Sequence, residues 1–176
     1  MPPMSTASGL GAAQTWVLAG SDTTERSMTS ATAGDLVTVT GLTIPATTPV
    51  MIVISVAKAA AAFTPSLGLK INATVVSEAV YGGGGRILSF PATNEAQNGI
   101  VTIFLAPRRT GYDRGITGTS YVSGATALQT ELLLSSNLLT AAIPVATITD
   151  VIIRGDSDGT NALTVHGVYV YTLAVS

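Results

Sequence analysis

The stretch VIIRGDSDGTNALTVHGVYVYTLAVS, residues 151–176, holds the chain's one histidine, His166, and a Gly155-Asp156-Ser157-Asp158-Gly159 string. That string fits the G-x-S-x-G pattern of a hydrolase nucleophile. The pattern requires a turn from a strand into a helix, with the acid and the histidine following later in the chain. Here the strand VIIRG is followed by TNALTVHGVYVY, which is another strand, and His166 lies only a few residues on. The better reading is the closing hairpin of a β-sandwich, with Asp158-Gly159 supplying a positive-φ turn. Ser157 is then expected at an exposed turn. Strict alternation along the last strand puts Leu163, Val165, Gly167, Tyr169 and Tyr171 on one face. It puts Thr164, His166, Val168, Val170 and Thr172 on the other.

Working back from there, the chain from Asp35 onward is a series of short runs rich in Val, Ile and Thr, punctuated by Gly, Pro or Asn. Strands are predicted over 35–44, 51–57, 67–76, 85–91, 99–107, 130–136, 148–155 and 163–175. Alternation is clear in Leu36, Thr38 and Thr40 against Val37 and Val39, and in Leu69, Ile71, Ala73 and Val75 against Lys70, Asn72 and Thr74. MIVISV is apolar at nearly every position, which suits a strand covered on both faces. Runs of this kind with no long helical pattern between them predict an all-β, antiparallel β-sandwich, jelly-roll-like. The leucines of 125–143 also suit a helical turn, and 110–126 reads as a long excursion. Residues 1–34, rich in Ser, Thr, Ala and Gly, read as an extended N-terminal arm before a domain over 35–176. The arm either crosses another chain, with Trp16 as its anchor, or folds back on its own domain.

Charge is the unusual feature of the composition. Charged residues make up 10% of the 176, against about 25% in ordinary soluble domains. Spread over the ~8,000 Å² expected for this mass, that is roughly one charge per 440 Å². Such a surface is in a membrane or is covered by protein. The most apolar run, Val50 to Phe63, contains Ser55 and Lys58 and lies between Pro49 and Pro65. It falls short of the ~20 apolar residues of a spanning helix, so burial in an assembly is expected. The net charge of -2 gives no reason to expect nucleic acid. The start has no basic segment of the kind that precedes a secretory signal. Without cysteine there is neither a disulfide nor a thiolate site.

Other motifs resolve the same way. Counting twelve from Asp156 reaches Gly167, where a calcium loop needs a bidentate Glu, so at most a weak surface cation site is expected near Asp156 and Asp158. Gly82–Gly85 lacks the Lys-Ser/Thr of a phosphate loop and precedes a strand. Asn72-Ala73-Thr74 matches a glycosylation sequon only formally. Arg108, Arg109 and Arg114 form either an internally paired, solvated loop or a set of bidentate contacts to a partner's carboxylates. No paired carboxylates, metal spacing or cofactor fingerprint remains, so no enzyme activity, cofactor or metal is expected.

The closing segment, ITDVIIRG and LTVHGVYVYTL about a polar turn, resembles the last strands of small jelly-roll domains in tailed-phage virion proteins. DLVTVTGLTIPATTPVMIVISVA is similar in style. The resemblance spans residues 35–176. It implies a bacteriophage structural protein of the capsid decoration or cement type, on the capsid surface of the virion. Such a protein is commonly a homotrimer and binds across neighbouring subunits of the major capsid protein. The alternative is a tail-fibre or spike head binding a host receptor or glycan, with Tyr112 and Tyr121 as stacking platforms.

Overall fold

A computed structural model describes residues 14–77, 86–109, 114–123, 128–133, 143 and 146–175. Every regular element among them is a strand: β1 (Gln14–Asp22), β2 (Arg26–Met28), β3 (Gly34–Val39), β4 (Val50–Lys58), β5 (Ser66–Ile71), β6 (Thr74–Ser77), β7 (Leu88–Ser89), β8 (Gln97–Leu105), β9 (Ile116–Ser123), β10 (Leu128–Leu133), β11 (Val151–Asp156) and β12 (Leu163–Val175). They form two antiparallel sheets. The seven-stranded sheet runs β1-β12-β4-β8-β9-β10, with β2 also on β12; the five-stranded sheet runs β3-β11-β5-β6, with β7 also on β5. Set aside the short β2 and β7 and the β9–β10 hairpin, and the remaining strands follow jelly-roll order, changing sheet at every step except the β5–β6 hairpin.

Alternation builds the core between the sheets. In β4, Val50, Ile52, Ile54 and Val56 are buried, while Met51, Val53, Ser55 and Ala57 are only half-buried. In β8, Val101, Ile103 and Leu105 point the same way. Across the gap, Val37 and Val39 of β3, Leu67, Leu69 and Ile71 of β5, and Val151 and Ile153 of β11 meet them. Truncating such a residue to alanine typically costs about 2–5 kcal/mol, because the neighbours close the cavity only in part.

Several sequence expectations change. Residues 14–28, assigned by composition to the arm, carry β1 and β2, and both strands are hydrogen-bonded to β12 of the same chain; β1 is the first strand of the jelly roll. Residues 1–13 lie outside the described residues. The excursion at 110–126 contains β9, whose Thr- and Ser-rich sequence alternates against β8. The single strand expected over 67–76 is a hairpin turning at Asn72-Ala73. Asn72 takes φ 53°, and its Oδ1 accepts from the N–H of Thr149 and of Asp150.

The closing segment is not a hairpin either. β11 belongs to the five-stranded sheet and β12 to the seven-stranded one, so residues 157–162 cross the sandwich. Gly159 does take positive φ, +88°. β12 is interior, between β1 and β4, but its two faces are not those of strict alternation. A bulge at His166 shifts the register, so Val165 lies opposite Val56 and Gly167 opposite Ser55. Leu163, Val165, Val168 and Val170 therefore all reach the core, and Tyr169 and Tyr171 turn outward. One extra residue reverses side-chain parity.

Candidate functional site

The hydrolase-like string holds no exposed nucleophile. Ser157 is fully buried, against the expectation of an exposed turn. Its N–H donates to Ser30 O at 2.8 Å, and its hydroxyl donates to Asn161 O. Asp158 accepts from the backbone N–H of Thr160 and Asn161 and from the Asn161 side chain. These bonds, the Asn161 N–H first, hold its carboxyl below the usual range. His166 pairs through Nδ1 with Glu25 Oε2 at 2.9 Å, on the outside of the sheet. With the Ser157 proton committed to a carbonyl and His166 to Glu25, the string is a folded loop. No group of three metal-capable side chains occurs among the described residues.

The sequence-predicted contact residues separate. Arg114 is 3% exposed; its Nε donates to Ala106 O at 3.0 Å and its Nη2 to Thr48 O. Burial pushes its pKa down. It ties the loop before β4 to the end of β8 and does not face outward. Arg108 and Arg109 are exposed just past β8. Tyr112 lies outside the described residues. Trp16 and Tyr121 are exposed at 37% and 47% and share one surface, the outer face of the seven-stranded sheet.

That face is built by register. Tyr171 lies opposite Leu18 on one side and Met51 on the other, and Met51 lies opposite Phe104. The next outward row is Tyr169, Val53, Thr102 and Thr119; a third is Gly167, Ser55, Ile100 and Tyr121. Trp16 and Phe104 meet with ring centroids 6.0 Å apart at an interplanar angle of 55°. Beside them, with Pro49 and Thr117, lies an apolar groove of about 320 Å³. A second, of about 310 Å³, lies at the other end of β8 among Asn98, Ile100, Tyr121 and Ser123. The described outward positions of β1, β12, β4, β8 and β9 carry no Asp, Glu, Lys or Arg.

All six exposed large apolar side chains among the described residues are on this sheet: Trp16, Val17, Leu18, Ile100, Phe104 and Tyr121. Composition pointed to a charge-poor surface but not to its place. Phe104 and Ile100 were missed because GIVTIFLAP reads as apolar throughout, and only the pairing shows which of its residues lack a cover. The one charged residue of β4 and β8, Lys58, is turned inward and is 2% exposed. Its ammonium donates to the carbonyls of Ala61, Thr93 and Glu95 and sits 5.0 Å from the Phe63 ring centroid. Burial lowers its pKa.

No family model matches the chain, and no curated protein does. Among solved structures, an engineered GH43 glycoside hydrolase with endo-xylanase and exo-arabinofuranosidase activity gives a TM-score of 0.35 at 12% identity, covering 81% of this chain and 35% of that one. A structure of the infectious bursal disease virus Gx strain gives a TM-score of 0.18 at 13% identity, covering 100% and 47%. The chain thus spans less than half the length of either, and at these scores neither likeness bears on function.

Proposed function

We propose that this chain is a structural protein of a virus particle: a jelly-roll decoration protein on the capsid surface that assembles with itself and binds across neighbouring subunits of the major capsid protein. The observation that carries the reading is the outer face of β1, β12, β4, β8 and β9, whose described outward positions carry no Asp, Glu, Lys or Arg. The sequence-level resemblance adds the virion setting. The accessible surface is 8964 Å² for 8 basic and 10 acidic residues, about one charge per 500 Å² against roughly one per 200 Å² for ordinary composition over the same area. The mechanism is burial. Apolar area removed from water contributes about 25 cal/mol per Å² before the costs of association, and a shell whose subunits share a clamp disassembles less readily.

The test is to image intact particles of the source virus and count copies. Symmetric density for this domain over the shell, and a lower disassembly temperature for shells lacking it, are expected. Absence from the shell would overturn the reading. The second reading, a fibre or spike head, is favoured by exposed Tyr121 beside Asn98 and Ser123, a stacking ring next to polar groups of the kind that hold sugars. It requires few copies per particle, at the tail, and binding to host glycans.

A further inference from the structure

We infer that the outer face of the seven-stranded sheet is the surface through which copies of this chain associate, each presenting the Trp16–Phe104 end of β8 to the Ile100–Tyr121 end of another. This deepens the reading above and rests on it only for the existence of self-assembly. The argument begins in β4. Its sequence is apolar toward both faces, yet among the described residues only one face is covered. Met51 and Val53 stay half-exposed in the middle of a sheet, where an isolated domain places polar side chains.

Area and charge select a second copy as the occupant. Five strands at ~4.8 Å spacing and nine residues at ~3.4 Å each give a flat area of roughly 700 Å². That approaches the ~800 Å² that each partner contributes to a stable interface. A face whose described outward positions on β1, β12, β4, β8 and β9 carry no Asp, Glu, Lys or Arg meets itself with little like-charge repulsion. It offers a charged partner little to pair with beyond the Glu25–His166 pair. The two ends are also alike in build. Each has a groove flanked by bulky side chains, Trp16 and Phe104 at one and Ile100 and Tyr121 at the other, about 13 Å apart along β8. Knobs at one end of a copy can fill the groove at the far end of the next, reciprocally about a two-fold axis or in turn around a ring.

The experiment measures the mass of the full chain by light scattering over a concentration series, with far-UV circular dichroism as a folding control. The wild type is expected at two or more times 17.8 kDa. Ile100→Lys and Phe104→Glu change exposed outward positions, so the fold should persist while association weakens roughly thirtyfold or more, as for a hot-spot residue. Ile100→Thr, a milder change, should weaken it less. Thr38→Lys, on an exposed position of the other sheet, should have no effect. If the wild type associates and the Ile100 and Phe104 variants associate equally well, the surface is wrong while the assembly reading stands. A wild-type monomer at tens of micromolar would sink both.

Discussion

The two sheets of this sandwich have matching inner faces and opposite outer ones. Across the outside of the five-stranded sheet, Asp35 is flanked by Lys70 and Arg154, with Nζ–Oδ2 at 2.9 Å and Nη1–Oδ1 at 3.1 Å. Arg154 donates further to Ala33 O. Across the outside of the seven-stranded sheet, aromatic and aliphatic side chains lie open in the same kind of pleat. Charges on an outer face keep it solvated and make chance docking costly, while their absence leaves it adhesive. The difference shows that folding required only the inner alternation. The outer pattern was free to vary and so records what each face meets.

Lys58 gives the strongest means of breaking that comparison. Strand β4, inside the seven-stranded sheet, does carry a charge, but hides it, and the ammonium satisfies the carbonyls of Ala61, Thr93 and Glu95. Lys58→Met should cost about 3 kcal/mol in denaturant unfolding, because the methylenes are replaced and the donors are not. A loss below about 1 kcal/mol would mean that the buried cation is dispensable. The sign of the pH dependence follows from the lowered pKa. The unfolded chain holds this proton more tightly than the folded one, so the Lys58 contribution should rise as pH climbs through the folded pKa toward 10.5. In Lys58→Met that rise should disappear.

Gly155 tests the point where the chain leaves the charged sheet for the apolar one. A Cβ there would stand 2.3 Å from Met28 Sδ and 3.2 Å from Leu36 Cδ2. Gly155→Ala should therefore cost about 1–3 kcal/mol through overpacking, read as a fall in thermal midpoint. A neutral result would show that Met28 swings aside freely. Further along the same crossing, Ser157→Ala should cost about 1 kcal/mol, since it deletes a buried hydroxyl bonded to Asn161 O. An exposed turn serine would have been silent. Last comes the charged face itself. Asp35→Ala should cost less than about 1 kcal/mol, and the loss should shrink as salt is raised. A larger, salt-independent loss would make Asp35 part of the core's support, and the contrast between the two faces would no longer be one of solvation alone.

Much of the fold was legible because period-two alternation is local. The sequence marks β4, β8 and β11 within a few residues, and β12 at both ends. The charge-poor surface was legible only as a quantity, too few charges for the area. The sequence singles out Trp16 as the anchor of an arm and Tyr121 as a stacking platform, and nothing in their spacing says that one sheet carries both. Arg114 reads in sequence as part of a basic loop that is either solvated or internally paired, or turned toward a partner. Its burial follows from the carbonyls of Thr48 and Ala106, the first of them on a loop far away in the chain.

By itself, then, the sequence determined that this is an all-β chain and where most strands lie. Tertiary structure alone decided that residues 14–22 form an outer strand on β12, that the closing segment crosses between sheets, and that Tyr169 and Tyr171 face outward. The physical reason is range. Alternation is set between residues two apart, whereas strand neighbours, bulges and exposure are set by hydrogen bonds between residues more than a hundred positions apart, such as Leu18 and Tyr171. A single inserted residue at His166 is enough to reverse every face assignment that follows it.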